Sequence, residues 1–147
     1  MYDLSVTLHV LAALVGFGVT YSYPVLQLLG ERGDRRHLAF ALDAITTLSR
    51  RVAVPATAVV GVTGIYQLAD GPYALEDAWA SAGLVLYLAV MVVATGFLAP
   101  RYARAAEAAR RGNAAEYATL IRGVNIVGPF VVVSVLAIVA LMVLKPG

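Results

Sequence analysis

Residues 124–144 read VNIVGPFVVVSVLAIVALMVL, 21 positions without a charged side chain, between Arg122 and Lys145. As a helix rising 1.5 Å per residue the run covers about 31 Å, the thickness of a bilayer's hydrocarbon core. A strand of a membrane barrel would alternate apolar and polar residues, and this run does not. A lipid-exposed backbone has to satisfy its own hydrogen bonds, which a helix does alone. The stretch therefore reads as a transmembrane helix.

Three more stretches read the same way, over about residues 4–29, 52–69 and 79–99. The second lies between Arg50-Arg51 and Asp70. Pro100-Arg101 closes the third, and Lys145-Pro146-Gly147 ends the fourth. The expectation is an all-α, four-transmembrane-helix bundle, one membrane domain over residues 1–147. Composition agrees: 61% of the 147 residues are hydrophobic and 14% charged, against roughly 25% charged in soluble domains. A soluble fold of this length leaves about a third of its surface in water and could not hide so much apolar area. Disorder needs the opposite composition. Zero cysteine excludes disulfides, thiolate metal sites and a cysteine nucleophile. Met1-Tyr2-Asp3 lacks the basic start of a cleavable signal, so the first span reads as retained.

The basic residues sort by connection. Arg32, Arg35, Arg36, Arg50 and Arg51 fall between the first two spans, and Arg101, Arg104, Arg110, Arg111 and Arg122 between the last two. The 70–78 loop carries Asp70, Glu76 and Asp77 only. The positive-inside rule places both Arg-rich connections in the cytoplasm of a bacterial inner membrane, with both termini outside. The pI near 9.1 is then a topology signal, and no nucleic-acid partner is expected. His37–Ile45 is good helix sequence running into the second span. Arg101–Arg111 is helical up to Gly112-Asn113, and Ala114–Ile121 is helical again. The second and fourth helices are expected to extend into the cytoplasm, with Pro55 and Pro129 kinking them. Each half carries an inner proline (Pro24, Pro100) and a Gly-Asp or Gly-Asn turn (Gly33-Asp34, Gly112-Asn113). This spacing suggests a two-fold repeat of residues 1–70 and 78–147, related by an axis along the membrane normal.

Helices in lipid meet through small and polar residues. At about 100° per residue, Ser5, His9, Ala12, Ala13, Gly16, Thr20, Tyr23 and Gln27 share one face of the first helix. Leu4, Leu11, Leu14, Val15, Val25 and Leu29 take the other. On the second, Asp43, Thr46, Thr47, Arg50, Thr57, Gly61 and Gly64 form the seam, and Asp43 and Arg50, seven apart, are expected to pair and anchor the cytoplasmic helix end, the competing reading being a transport role. The third offers Gly83, Tyr87, Met91 and Ala94, with Trp79 as an interfacial anchor. The fourth offers Asn125 and Gly128, Asn125 reading as an interhelical hydrogen bond.

His9 is the ionisable residue placed within a span, and such residues carry function by default. Its imidazole could ligate haem b or copper, or relay a proton. The competing reading is a histidine that hydrogen-bonds between helices. His37 falls at the opposite side, so two histidines on one iron would need a dimer. Tyr87 is nearer His9 in depth than Met91 as a second ligand. No catalytic residue is expected: there is no acid deep in a span, no Ser-His-Asp set and no phosphate or dinucleotide loop.

Leu8-His9-Val10-Leu11-Ala12-Ala13-Leu14-Val15-Gly16-Phe17-Gly18, Arg51-Val52-Ala53-Val54-Pro55 with Val62-Thr63-Gly64-Ile65, and Leu141-Met142-Val143-Leu144-Lys145-Pro146 stand in one order along the chain. Together they resemble the bacterial integral-membrane family named domain of unknown function 2269, over the whole length. The resemblance implies fold and localisation and no activity. Gly16-Phe17-Gly18 departs from the paired glycines usual there. The first two helices are also similar to copper-resistance membrane proteins of the D type, and faintly to the four-helix bacterial protoporphyrinogen oxidase family. Both likenesses imply haem or copper near His9. Three functions stay open: a non-catalytic binding or accessory bundle in the bilayer, as a homodimer or a subunit of a membrane complex; a haem b or copper redox protein using His9; and a transporter of a small solute or protons.

Overall fold

The computed structural model describes residues 1–72 and 75–145, so Pro146 and Gly147 of the sequence reading lie outside the described residues. The described chain is four long apolar rods, Tyr2–Glu31, Arg35–Asp70, Ala78–Arg111 and Ala114–Leu144. Short connections make successive rods antiparallel. The rods divide into α1 (Tyr2–Thr20), α2 (Tyr23–Glu31), α3 (Arg35–Leu48), α4 (Val54–Asp70), α5 (Ala78–Val93), α6 (Ala99–Arg111) and α7 (Ala114–Leu144). A 36-residue rod is about 54 Å long against a hydrocarbon core of about 30 Å. Every rod is therefore longer than that core is thick, all four having at least 30 residues.

Residue chemistry explains where the rods start and stop. Asp34 caps α3, its carboxylate accepting from the backbone N–H of Arg36 (2.9 Å) and His37 (3.0 Å). Asn113 caps α7 by accepting from Glu116 N–H. Gly112 ends α6 at φ +69°, a left-handed conformation that glycine takes without a Cβ clash.

Proline does something the sequence reading did not foresee. The third rod does not close at Pro100 but runs on to Arg111. It passes the proline through a wide π turn over Ala94–Leu98, where Ala99 N–H reaches back to Ala94. The second rod repeats the device ahead of Pro55, with a π turn over Ser49–Ala53 and Val54 N–H bonded to Ser49. A proline ring collides with the carbonyl four residues back, and a turn that closes five back gives it room. Pro24 instead follows a break at Tyr21–Ser22, and Pro129 lies inside α7 without ending it.

Packing follows two regimes. At the Arg-rich end α3, α6 and the start of α7 bury Ala39, Leu42, Ile45, Ala105, Ala106, Ala108, Ile121 and Val124 in a close core, with Leu42 and Ile45 fully enclosed. Apart from Val124, which opens the fourth apolar run, these residues lie outside the four apolar stretches of the sequence. Within the spans α1 packs on α4 and α5 on α7, and large residues such as Leu14, Val62 and Val143 face outward. Lipid gives no hydrophobic drive between helices, so contact there rests on small residues. At Gly16 an added Cβ would stand 3.1–3.3 Å from Thr57 and Ala56.

Candidate functional site

The π turn in the second rod splits the expected seam. A turn closing five back offsets the helical face by about one residue, near 100°. Thr57 is buried, and Gly61 and Gly64 face Tyr87 and His9, while Thr47 and Arg50 are exposed. The expected Asp43–Arg50 pair does not form: Asp43 binds the Arg110 guanidinium of α6 instead. Two turns of helix separate positions 43 and 50 by about 10 Å, and α6 lies directly against α3. Both partners are about half exposed, so the pair is worth roughly 0–1 kcal/mol.

Among the described residues, two cavities bear on these side chains. One, about 940 Å³, lies in the half holding the termini and is lined by His9, Gly61, Gly64, Tyr87 and Met142 among others. The other, about 710 Å³, lies toward the Arg-rich end and takes walls from all four rods: Thr20, Tyr23 and Gln27; Ser49, Ala53 and Thr57; Met91, Ala94 and Tyr102; Asn125 and Gly128. Phe17 and Val135 line both. With Val90 and Ile138 they form the buried apolar layer between the two.

His9 is buried, and its Nδ1 lies 2.9 Å from the Thr63 hydroxyl. Thr63 has one hydroxyl hydrogen, and its oxygen is 2.6 Å from the Val59 carbonyl, to which it donates. With that hydrogen on Val59, the same oxygen is left to accept from His9. In that arrangement the imidazole carries its proton on Nδ1 and its lone pair on Nε2. The absence of a side chain at Gly64 lets the ring lie against α4: a Cβ there would stand 3.3 Å from His9 Cε1. Tyr87 is committed elsewhere, its hydroxyl donating to the Thr57 carbonyl at 2.8 Å. Among the described residues no group of three His, Cys, Asp or Glu side chains is placed to hold a metal.

The Arg-end cavity contains a polar chain. The Glu31 carboxylate can only accept, and it does so from Tyr117 Oη (2.6 Å) and Gln27 Nε2 (3.0 Å). That fixes the buried Gln27 amide, whose Nε2 also donates to Asn125 Oδ1 (3.0 Å), while its oxygen accepts from Tyr102 at 3.5 Å. Tyr102 meets Tyr23 edge to face, with ring centroids 6.3 Å apart. The Tyr23 hydroxyl is buried and makes no hydrogen bond within 3.5 Å among the described residues. Both π turns supply wall residues to this cavity, Ser49 and Ala53 from one and Ala94 and Leu98 from the other.

The structure thus gathers Thr20, Tyr23, Gln27 and Thr57 around one cavity and His9, Gly61, Gly64 and Tyr87 around the other. Gly16 serves the contact between α1 and α4. Asp43 and Arg50 belong to neither cavity. Asn125 makes an interhelical hydrogen bond as expected. The sequence reading did not select Glu31, Tyr102, Tyr117 or Phe17. Glu31 was readable as the residue four after Gln27, one turn along the same face. Tyr102 was not, because its stretch resembles a solvated helix until α3 covers it.

The family model described as predicted integral membrane protein (DUF2269) matches residues 3–146. No curated protein and no solved structure matches the chain.

Proposed function

We propose, for a chain that belongs to the DUF2269 family of predicted integral membrane proteins, a non-catalytic binding role in which the bundle holds a lipophilic molecule in the cavity beside Gln27. The observation that carries this reading is convergence: an apolar cavity lined by all four rods, one polar chain and two π turns meet at one place. Ligand sites are concave and mostly apolar, with a few convergent polar groups, and π turns concentrate at functional positions. The arginine distribution supports a bacterial inner-membrane setting with the Arg-rich end in the cytoplasm.

Native mass spectrometry of detergent-purified protein tests the reading. Gly128 lines the cavity, and a Cβ there meets nothing within 4 Å. Gly128→Phe should therefore fill the space without a backbone clash. Wild type is expected to retain a lipophilic molecule that Gly128→Phe loses. A wild-type protein that carries and takes up no such molecule would end the proposal.

A second reading is that His9 ligates haem b or copper. Its support is the tautomer: Nδ1–H held by Thr63 with Nε2 carrying the lone pair, the arrangement in which histidine ligands are oriented. An absorption spectrum and metal analysis decide it. A Soret band or bound copper that disappears in His9→Ala is expected on this reading, and a colourless, metal-free protein removes it.

A further inference from the structure

The polar chain has a direction, and the direction selects a ligand. Glu31 accepts, so Gln27 presents its N–H groups, so Asn125 presents its oxygen. What remains on the cavity's lining residues is the Asn125 amide nitrogen, at an exposed position and with no hydrogen bond among the described residues, and the buried Tyr23 hydroxyl. The Ser49 hydroxyl on the π turn also lines the cavity and is the side chain the Tyr23 hydroxyl approaches, at more than 3.5 Å. The amide nitrogen can only donate and the two hydroxyls can donate as well as accept, so the wall can hold acceptor oxygens, while a cation would face the amide nitrogen unfavourably. An anion is disfavoured by the Glu31 carboxylate at the head of the chain and by the apolar walls, which cannot replace its hydration. The cavity also opens sideways. Pro24, Leu28, Asn125 and Val133 line it yet are exposed, and the first and fourth rods are not among the closely packed pairs.

We propose that the cavity takes, from the lipid phase between the first and fourth rods, a lipophilic molecule with a neutral carbonyl-bearing headgroup, its oxygens held by Tyr23 and Asn125. This rests on the binding role proposed above and adds the ligand's chemistry and route. The volume of about 710 Å³ suits a ring or ester headgroup with part of a tail, the rest of the tail lying in lipid.

The test uses the full chain in phosphatidylcholine nanodiscs, titrated calorimetrically with four probes of matched alkyl tail: an alkyl benzoquinone, a monoacylglycerol, a fatty acid anion and an alkylamine. Empty nanodiscs supply the background. The quinone or the monoacylglycerol is expected to bind saturably, at least tenfold tighter than either charged probe, and which of the two binds names the source of the carbonyl. Tyr23→Phe with Asn125→Leu should weaken that binding about tenfold, two neutral hydrogen bonds being lost, and Gly128→Phe should abolish it. Asn125→Leu alone, at an exposed position, keeps the test valid if the double variant misfolds, and about threefold is expected of it. Tighter binding of a charged probe that Gly128→Phe still abolishes would overturn the headgroup assignment and leave the binding role standing. Neutral binding indifferent to Tyr23 and Asn125 would also overturn it. Failure of all four probes would remove both.

Discussion

Single residues decide how His9 and the start of α3 behave. Thr63 orients the His9 imidazole, so Thr63→Val should remove the side-chain acceptor of Nδ1 inside the span. The expected loss is about 1 kcal/mol, read as a lower thermal midpoint in detergent, with Thr63→Ser close to wild type. If the redox reading holds, the same change also weakens the cofactor, because the ring loses its fixed tautomer. At Asp34 the backbone hydrogen bond from His37, then the side-chain contact with His37, holds the carboxyl below its ordinary value of 3.8. A depressed acid contributes stability above that value, and the contribution fades as pH falls through the lower folded value. Wild type should therefore exceed Asp34→Ala in thermal midpoint at neutral pH, and the gap should close in acid below about 3.8. A gap independent of pH would mean that the carboxylate's charge does not matter to the cap. The cap could be read from Gly33-Asp34 alone. The His9 partner could not, since Thr63 stands 54 positions away.

At the scale of elements, the two glycines of Gly16-Phe17-Gly18 part company. A Cβ at Gly16 would press on Thr57 and Ala56 at 3.1–3.3 Å, whereas at Gly18 nothing lies within 4 Å. Gly16→Ala should destabilise the pairing of α1 with α4, by about 1–3 kcal/mol if the helices cannot shift. Gly18→Ala should be neutral or stabilising, since alanine favours helix by about 1 kcal/mol. Unfolding of the two variants in one detergent compares them directly, and equal effects would refute the packing account. Gly61 is tighter still, with the Tyr87 hydroxyl 2.6 Å from its Cβ position and bonded to Thr57. Helical periodicity identified the first helix's polar face, because an α-helix keeps one register from Ser5 to Gly16. It failed on the second helix, because the π turn before Pro55 shifts the register between Arg50 and Thr57. A proline announces some distortion. The chain breaks at Tyr21–Ser22, widens at Ser49–Ala53 and carries on through Pro129, three outcomes that a proline in the sequence does not tell apart.

For the whole molecule, orientation is the first quantity to measure. A reporter fused at Lys145 should report the outer side and one inserted at Gly112 the cytoplasm, and the reverse pattern would refute the assignment from arginines. The chain's own composition determined that it is four membrane helices with two Arg-rich connections on one side, because span length and backbone satisfaction in lipid leave no other choice. It also determined the caps, which depend on residues a few positions apart. Only the tertiary structure decided that α3, α6 and α7 build a close core beyond the spans, that Asp43 meets Arg110, and that Gln27, Glu31 and Asn125 join in one polar chain. These contacts join rods separated by tens of residues. The apolar pattern says which face of a rod is buried, but not which rod covers it.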